Sequence, residues 1–281
     1  MGRKNKQTRL PDGTMFYYLN KLETLFMYKE IFDNGAYSND LVSYGDGDTV
    51  VDVGANIGLY LHFVIKQCKG PKLYAFEPMP RLFKALELNF PKSNGEAVHL
   101  FECGVSREPG EATFTYLPHC TARSTMYPEH SPANNSAQGR QREEEFMLLT
   151  FKELPSAPLR VFISMLPMFL RRPLAAAVVR YHAKTKEVTC ELKTVSQIIE
   201  ENDLEKIDIL KVDAENSEVE ILHGIKEEHW ARIRQLVIEI HPGPEDPLKQ
   251  VLEMMEKHGF KTEVAQDNTL HPSPTVFASR D

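Results

Sequence analysis

Short apolar runs, small-residue loops and segments of helical period follow one another from Asp46 onward. "TVVDV" (49–53) is a β-branched run between "GDGD" and a glycine, which predicts a buried strand. "LYLHFVIKQC" (59–68) predicts the next helix, stopped by Lys69-Gly70-Pro71. "KLYAFEP" (72–78) reads as the second strand. "RLFKALELNF" (81–90) reads as the second helix, with Leu82, Phe83, Leu86 and Phe90 at helical spacing. "AVHLFECGVS" (97–106) predicts a third strand, and the alternating "GEATFTYL" (110–117) an extra strand or hairpin.

Residues 118–185 break this rhythm. "PEHSPANNSAQGRQREEE" (128–145) is polar and rich in turn formers, and predicts a loop. "LPSAPLRVFISMLPMFLRRPLAAAVVRY" (154–181) is apolar, but its arginines and prolines rule against a membrane span. It predicts two short helices, packed on the core or forming a flap over a site. The rhythm then returns. "EVTCELKTVSQIIEEN" (187–202) leads to "KIDILKVDAEN" (206–216), a strong strand ending in acids. "SEVEILHGI" (217–225) is a helix, "QLVIEIH" (235–241) a strand and "PLKQVLEMMEKHGF" (247–260) a helix, with "KTEVAQ" and "TVFAS" as closing strands. Apolar strands alternating with helices mean a mostly parallel sheet covered on both faces. The expected organisation is an extension or lid over 1–45 and one α/β domain over 46–281, interrupted by the insertion near 118–185.

Composition narrows the function classes. The net charge is −7, from 33 basic and 40 acidic residues, so nucleic acid is not the expected partner. The basic start "GRKNKQTR" predicts a solvated terminus, and no apolar stretch follows it, so no signal peptide is expected. Cys68, Cys103, Cys120 and Cys190 lack metal-site spacing; reduced thiols and a cytoplasmic location are the expectation. His119-Cys120 has no second pair to complete a metal site.

The loop after the first strand carries the chemistry. In such sheets ligands bind beyond the carboxyl ends of the strands. Gly54 and Gly58 let the backbone turn sharply beside a ligand, and the following helix N-terminus offers free N–H groups. Glu77 ends the second strand, where an acid receives ribose hydroxyls. The dinucleotide fingerprint G-x-G-x-x-G is not met, because Asn56 stands where its second glycine belongs. Asp52 suits a cationic group instead. An acid, a Gly-x-x-x-Gly turn and a second acid match S-adenosyl-L-methionine, which has an amine, a carboxylate, a sulfonium and a ribose but no phosphate.

"DVGANIG", "AFEP", "IDILKVDAENSEVEILHGI" and "LVIEIH" resemble the FkbM-type S-adenosylmethionine-dependent methyltransferases. "LPDG…NKLETLFMYKEIF…Y" (10–37), "FECGVS" and "CELKTVSQIIEEN" are similar to O-methyltransferase domains of polyketide and nonribosomal peptide synthases. Residues 128–182 match poorly, and Asn216 stands where family members often carry glycine. The resemblance implies a class I methyltransferase, Rossmann-like sheet of seven strands with the last antiparallel, helices on both faces, an N-terminal helical extension and a central helical insertion. It also implies cofactor contacts at Asp52, Gly54, Asn56, Gly58, Glu77 and Pro78, and near Glu102, Cys103 and Gly104.

The resemblance implies methyl transfer, with O-methylation of a polyketide, peptide or similar metabolite, free or carrier-bound, as the leading expectation. N-methylation, sugar O-methylation and a non-catalytic binding module are the alternatives. An alcohol acceptor needs a group that takes its proton. His241 is the expected base, with Asp213 or Glu239 orienting its ring or holding the acceptor. Asp213 and Glu215 with His241 form an oxygen-rich cluster of the sort that attracts magnesium, but no metal is assigned. Glu218 and Glu220 are expected on a solvated helix face. Tyr28 and Tyr37 either pack the extension onto the sheet or close over the cofactor.

Overall fold

A computed structural model describes residues 6–91, 97–118, 121, 124–127, 148, 151, 157–182, 184–243, 245–266 and 273–280. The polar stretch 128–145 and Cys120 lie outside the described residues.

The main sheet has seven strands: β3 (Thr49–Val53), β4 (Lys72–Phe76), β5 (Ala97–Phe101), β9 (Ile207–Val212), β10 (Ile233–Glu239), β11 (Lys261–Gln266) and β12 (Pro274–Ser279). Their order is β11-β12-β10-β9-β3-β4-β5. β3 pairs parallel with β4 and β9, and β12 runs antiparallel to both β10 and β11. The expected seven strands with an antiparallel last one are therefore present, and their order reverses at β3. The crevice of such a sheet opens at that switch point.

Strand alternation sorts the core. Val50, Ala75, Ile209 and Val237 face one side, covered by α2 (Leu59–Gln67), α3 (Pro80–Asn89) and the N-terminal extension. Val51, Val53, Phe76, Leu210 and Ile238 face the other, covered by α6 (Val195–Glu201), α7 (Glu218–His223), α8 (Glu227–Trp230) and α9 (Pro247–Lys257). Strands buried on both faces explain the unbroken apolar runs.

Three expectations change. The extension is not helical throughout, since a hairpin of β1 (Lys6–Arg9) and β2 (Met15–Tyr18) precedes α1 (Lys21–Tyr28). Its turn is "PDG", with Gly13 left-handed and the Asp12 carboxylate accepting the Thr14 N–H at 2.9 Å. Part of the basic start is thus paired strand. The third strand also ends earlier, at Phe101, and Gly104–Val105 (β6) joins a second sheet with β7 (Gly110–Tyr116) and β8 (Lys186–Lys193) in the order β6-β8-β7. Finally, the apolar insertion does form two helices, α4 (Ala157–Met165) and α5 (Met168–His182), but these are not packed on either main core cluster.

Asn89 ties the extension to the first loop. Its side chain accepts the Tyr17 N–H at 2.7 Å and donates to the carbonyls of Tyr17 and Ile57.

Candidate active site

Four strand ends meet at the switch point. The loop after β3 is held by the Gly54 and Ala55 N–H groups, both donating to the Phe76 carbonyl at 3.0 Å, while the Asp213 N–H donates to the Val53 carbonyl at 3.1 Å. Gly54 lies at φ +79°, and an added Cβ would run into the Asp213 carbonyl. Gly58, at φ +92°, faces Phe90 and Leu86 in the same way. Both glycines are required by neighbouring protein atoms, not only by the close approach of a ligand. Asn56 is left-handed without being glycine (φ 51°), a conformation asparagine tolerates better than most residues.

Glu77 is buried, and burial pushes its carboxyl up to about 7. It accepts the Asn56 N–H at 2.9 Å and the Met79 N–H at 2.8 Å, so it shapes the loop. Each oxygen keeps a lone pair for a further donor. Pro78 is half-buried, and its carbonyl accepts the Cys190 thiol at 2.9 Å. Beyond β5, Glu102 is exposed and Cys103 buried, with burial raising its thiol to about 11. Gly104 packs where a Cβ would crowd Leu192 and Phe114.

Asp52 departs from its expected setting. It is fully buried, and its register partner on β9 is Lys211, whose ammonium lies 3.1 Å from Asp52 Oδ1. A cation of the protein already occupies the position intended for a ligand's. Lys211 also donates to the Gly54 carbonyl at 3.0 Å and lies 3.4 Å from Asp213 Oδ2, with the rings of Tyr37 and Tyr60 beside it. Burial works against the ammonium, but Asp52 and then Asp213 hold it above the ordinary lysine value. Burial raises Asp52, and Lys211 opposes that rise.

Around this sealed pair lies a more open layer. Asp213, Glu215 and Glu239 keep 23, 21 and 21% of their side chains exposed, against 3% for Lys211 and 0% for Asp52. Those three carboxylates line the part of the site that solvent or a ligand reaches. The Tyr37 hydroxyl donates to Asp213 Oδ2 at 3.0 Å and lies 3.3 Å from Glu239 Oε2. Burial, Asp213 and Glu239 all hold that phenol protonated. Tyr28, by contrast, stacks on Phe32 in the core.

His241 is oriented by Glu218, not by Asp213 or Glu239: its Nδ1 lies 2.9 Å from Glu218 Oε1. Its Nε2 lies 3.7 Å from both Glu215 and Glu239. Burial pulls the imidazole down, but Glu215, Glu218 and Glu239 outweigh it and hold the ring well above the usual histidine range. A protonated ring has no lone pair for a substrate proton, which counts against His241 as the base. Glu218 is likewise not on a solvated face: it is 2% exposed and also accepts the Ala214 and Asn216 N–H groups. Glu220 is the one that reaches outward, pairing with Arg107 at 2.9 Å.

Burial raises Asp213, but Lys211 and then His241 more than reverse this, so its carboxyl stays below the ordinary range. Glu239 goes the other way, raised by burial and by Asp213. Glu215 and Asn216 form a left-handed turn (φ 47° and 79°), and the buried Asn216 Oδ1 has no partner among the described residues. Thr125, from the start of the insertion, donates its hydroxyl to the Glu215 carbonyl at 2.5 Å. Asp213, Glu239 and His241 bring one donor atom each within 4.8 Å of one another, a spacing open to a divalent ion if His241 gives up its proton.

Sequence reasoning missed Lys211 and discounted Glu218. Lys211 was signalled by being the lone cation in an apolar central strand, since buried lysine demands partners. Glu218 was signalled only by its place in the first turn of a helix abutting the acid-ended strand.

The family model for the methyltransferase FkbM domain matches residues 52–262. The chain is 30% identical over 265 residues to the 31-O-demethyl-FK506 methyltransferase FkbM of Streptomyces tacrolimicus, covering 92% of this chain and 90% of that one. It is 29% identical over 277 residues to the AMB antimetabolite synthetase AmbE of Pseudomonas aeruginosa, covering 93% of this chain but only 12% of the synthetase. The crystal structure of methyltransferase FkbM from Methylobacillus flagellatus KT shares the fold at TM-score 0.50 and 12% identity, over 89% of this chain and 47% of that one. No described helix is long and apolar enough to cross a membrane. With strand order, switch-point site and family match in agreement, the chain belongs to the FkbM family of methyltransferases, whose methyl donor is S-adenosyl-L-methionine.

Proposed function

We propose that this protein methylates a hydroxyl oxygen of a polyketide, peptide or related metabolite, free or held on a carrier protein. The name of the Streptomyces relative, an O-demethyl-FK506 methyltransferase, and the synthetase that contains a similar segment both support this reading.

The residues fit the cofactor. The open carboxylates of Asp213, Glu215 and Glu239 favour a cationic ligand, and the unpartnered Asn216 Oδ1 is an acceptor for an ammonium donor. Glu77 has acceptor capacity left for ribose hydroxyls. The loop Gly54, Asn56 and Gly58, with Pro78 behind it, forms the wall, and Glu102, Cys103 and Gly104 flank the neighbouring strand end. Asp52 acts one step removed, by holding Lys211 and through it the Gly54 carbonyl. When bound, S-adenosylmethionine supplies an electrophilic methyl carbon and a good leaving sulfur.

Glu239 is the base in this reading, in place of His241. Burial and the Asp213 carboxylate raise its proton affinity, and it reaches the open side of the site. A raised carboxyl lies nearer the working pH, where a general base is most effective. Tyr37 bridges Asp213 and Glu239 and holds both in place, while the His241 cation, fixed by Glu218, offsets their charge. The observation that carries the assignment is that shared hydrogen bond next to the cofactor loop.

Glu239→Gln tests it. The amide keeps the shape but cannot take a proton, so turnover should fall about 10²–10⁴-fold, with cofactor affinity changed only a few-fold. S-adenosylhomocysteine release with an acceptor hydroxyl is the readout. Full activity in Glu239→Gln together with a dead His241→Asn would return the role to the histidine.

A further inference from the structure

The helical hairpin α4–α5 is built unlike the rest of the molecule. Its inward face is small: Ile163 and Ala175 are buried with Phe151, and Leu148 and Val178 pack against them. Its outward face is apolar and open, with Phe162 61%, Met165 79% and Phe169 72% exposed. Met168 and Leu170 complete an apolar tip, "MLPMFL", at the turn between the helices. The turn is fixed rather than loose. The Leu170 and Arg171 N–H groups donate to the Pro167 carbonyl, and the Arg171 guanidinium donates to the carbonyls of Leu166 and Ser164 at the end of α4.

Charge says what such a tip meets. In a chain of net charge −7, residues 154–186 hold Arg160, Arg171, Arg172, Arg180, Lys184 and Lys186 and not one Asp or Glu. Arg160, Arg172, Arg180 and Lys184 are exposed, and Lys184 lies over the Tyr181 ring at 5.5 Å. A hydrophobic tip followed by basic side chains, in helices of 9 and 15 residues, is too short to span a bilayer but suited to its surface. The apolar side chains enter the acyl boundary while the long basic ones reach back to anionic headgroups.

We infer that α4–α5 docks this enzyme onto an anionic phospholipid surface, with Met165, Met168, Phe169 and Leu170 inserted and Arg160, Arg172 and Arg180 at the headgroups. Lipid is favoured over a protein partner because the charge is of one sign across the whole segment and opposite to that of the chain. A second copy of this acidic chain would attract the basic side chains but offers no acyl layer to take Met165, Met168, Phe169 and Leu170.

The test is sedimentation of the 281-residue chain with vesicles of phosphatidylcholine alone or with added phosphatidylserine, at low and high salt. The expected result is binding that needs phosphatidylserine and weakens with salt, a readout that requires no variant. Arg160→Gln/Arg172→Gln/Arg180→Gln should weaken partitioning about 5-fold per charge removed, and Phe169→Asp should abolish it. All these positions are exposed, and retained cofactor binding verifies folding of each variant. Absence of vesicle binding overturns the inference. So does binding that ignores phosphatidylserine and Phe169→Asp. Wild-type dimers in light scattering that Phe169→Asp disperses, without vesicle binding, would make the tip an interface between copies. A raised acceptor KM in Phe169→Asp, again without vesicle binding, would make the hairpin a flap over the acceptor.

Discussion

Lys211→Met removes the cation on which the closed layer of the site depends. Asp52 is then left with 0% exposure and no counter-charge, whereas Asp213, at 23%, can be solvated again. Stranding one member of a buried ion pair costs about 3–5 kcal/mol. An independent route gives the same size. Asp52 could escape by taking a proton, which at pH 7 costs about 1.4 kcal/mol for each unit above its ordinary value near 4, or about 4 kcal/mol in all. The protonation route sets the upper limit of the loss at about 4 kcal/mol, which for a chain of this length is a fall in Tm on the order of 10 °C. The sign of the pH dependence follows. In the variant the folded-state pKa of Asp52 lies above its unfolded value, so stability is lost as pH rises from about 4 toward that raised value. The deficit should therefore shrink to about 1.5–2 kcal/mol at pH 5. Urea unfolding at the two pH values measures it, and Asp52→Asn/Lys211→Met should recover most of the loss. A deficit below about 1 kcal/mol at pH 7, or one independent of pH, would refute the claim that Asp52 is a sealed charge.

Glu77→Gln should weaken S-adenosylmethionine binding by about 1.5–3 kcal/mol, or roughly 10- to 150-fold, by removing a charged acceptor. Because Glu77 is pushed up to about 7, wild-type affinity measured by calorimetry should rise as pH passes through that value, while the Gln variant loses that rise and keeps only the part contributed by Glu239. Gly54→Ala should destabilise the fold by about 2–4 kcal/mol in thermal unfolding, combining a left-handed backbone with a Cβ forced against the Asp213 carbonyl. Unchanged stability there would mean that β3 and β9 can part at their carboxyl ends without cost.

Much of this site could be read from the chain because the relevant signals are local. The β-branched run 49–53, Gly54, Gly58 and the acid ends of 72–78 and 206–216 located the loop and the crevice; alternating strands and helices meant a mostly parallel sheet, and the family resemblance implied its seven strands with the last antiparallel. What escaped depends on pairing across the sheet. Nothing within "IDILKVD" says that Lys211 lies opposite Asp52; only the β3–β9 register does. Glu218 looked like a solvated helix residue because its partners, the Ala214 and Asn216 N–H groups and His241, come from a turn and from another strand. The N-terminal hairpin was legible in "PDG" followed by "TMFYY", and it was missed because the helical pattern of 21–33 dominated the segment.

In the proposed reading, the placement of charge makes the base and the cofactor loop one construction. Lys211 and His241 are the two cations of the cluster, each fixed from below by an acid that solvent does not reach, Asp52 for the first and Glu218 for the second. Their upper sides face Asp213, Glu215 and Glu239, which do reach solvent. Five carboxylates against two cations leave an excess of negative charge toward the open side, and protonating Glu239 is the least costly way to reduce it, since Asp213 is held ionised by Lys211. A cationic ligand entering the crevice supplies the missing positive charge and so favours ionised Glu239. In the proposed reading, cofactor binding therefore prepares the base: the carboxyl that is protonated in the free enzyme gives up its proton as the sulfonium arrives, before an acceptor hydroxyl needs it. Proton release on cofactor binding, measured by calorimetry in buffers of different ionisation enthalpy, should be present in the wild type and reduced in Glu239→Gln. Equal release in both would separate the base from the cofactor and remove this coupling.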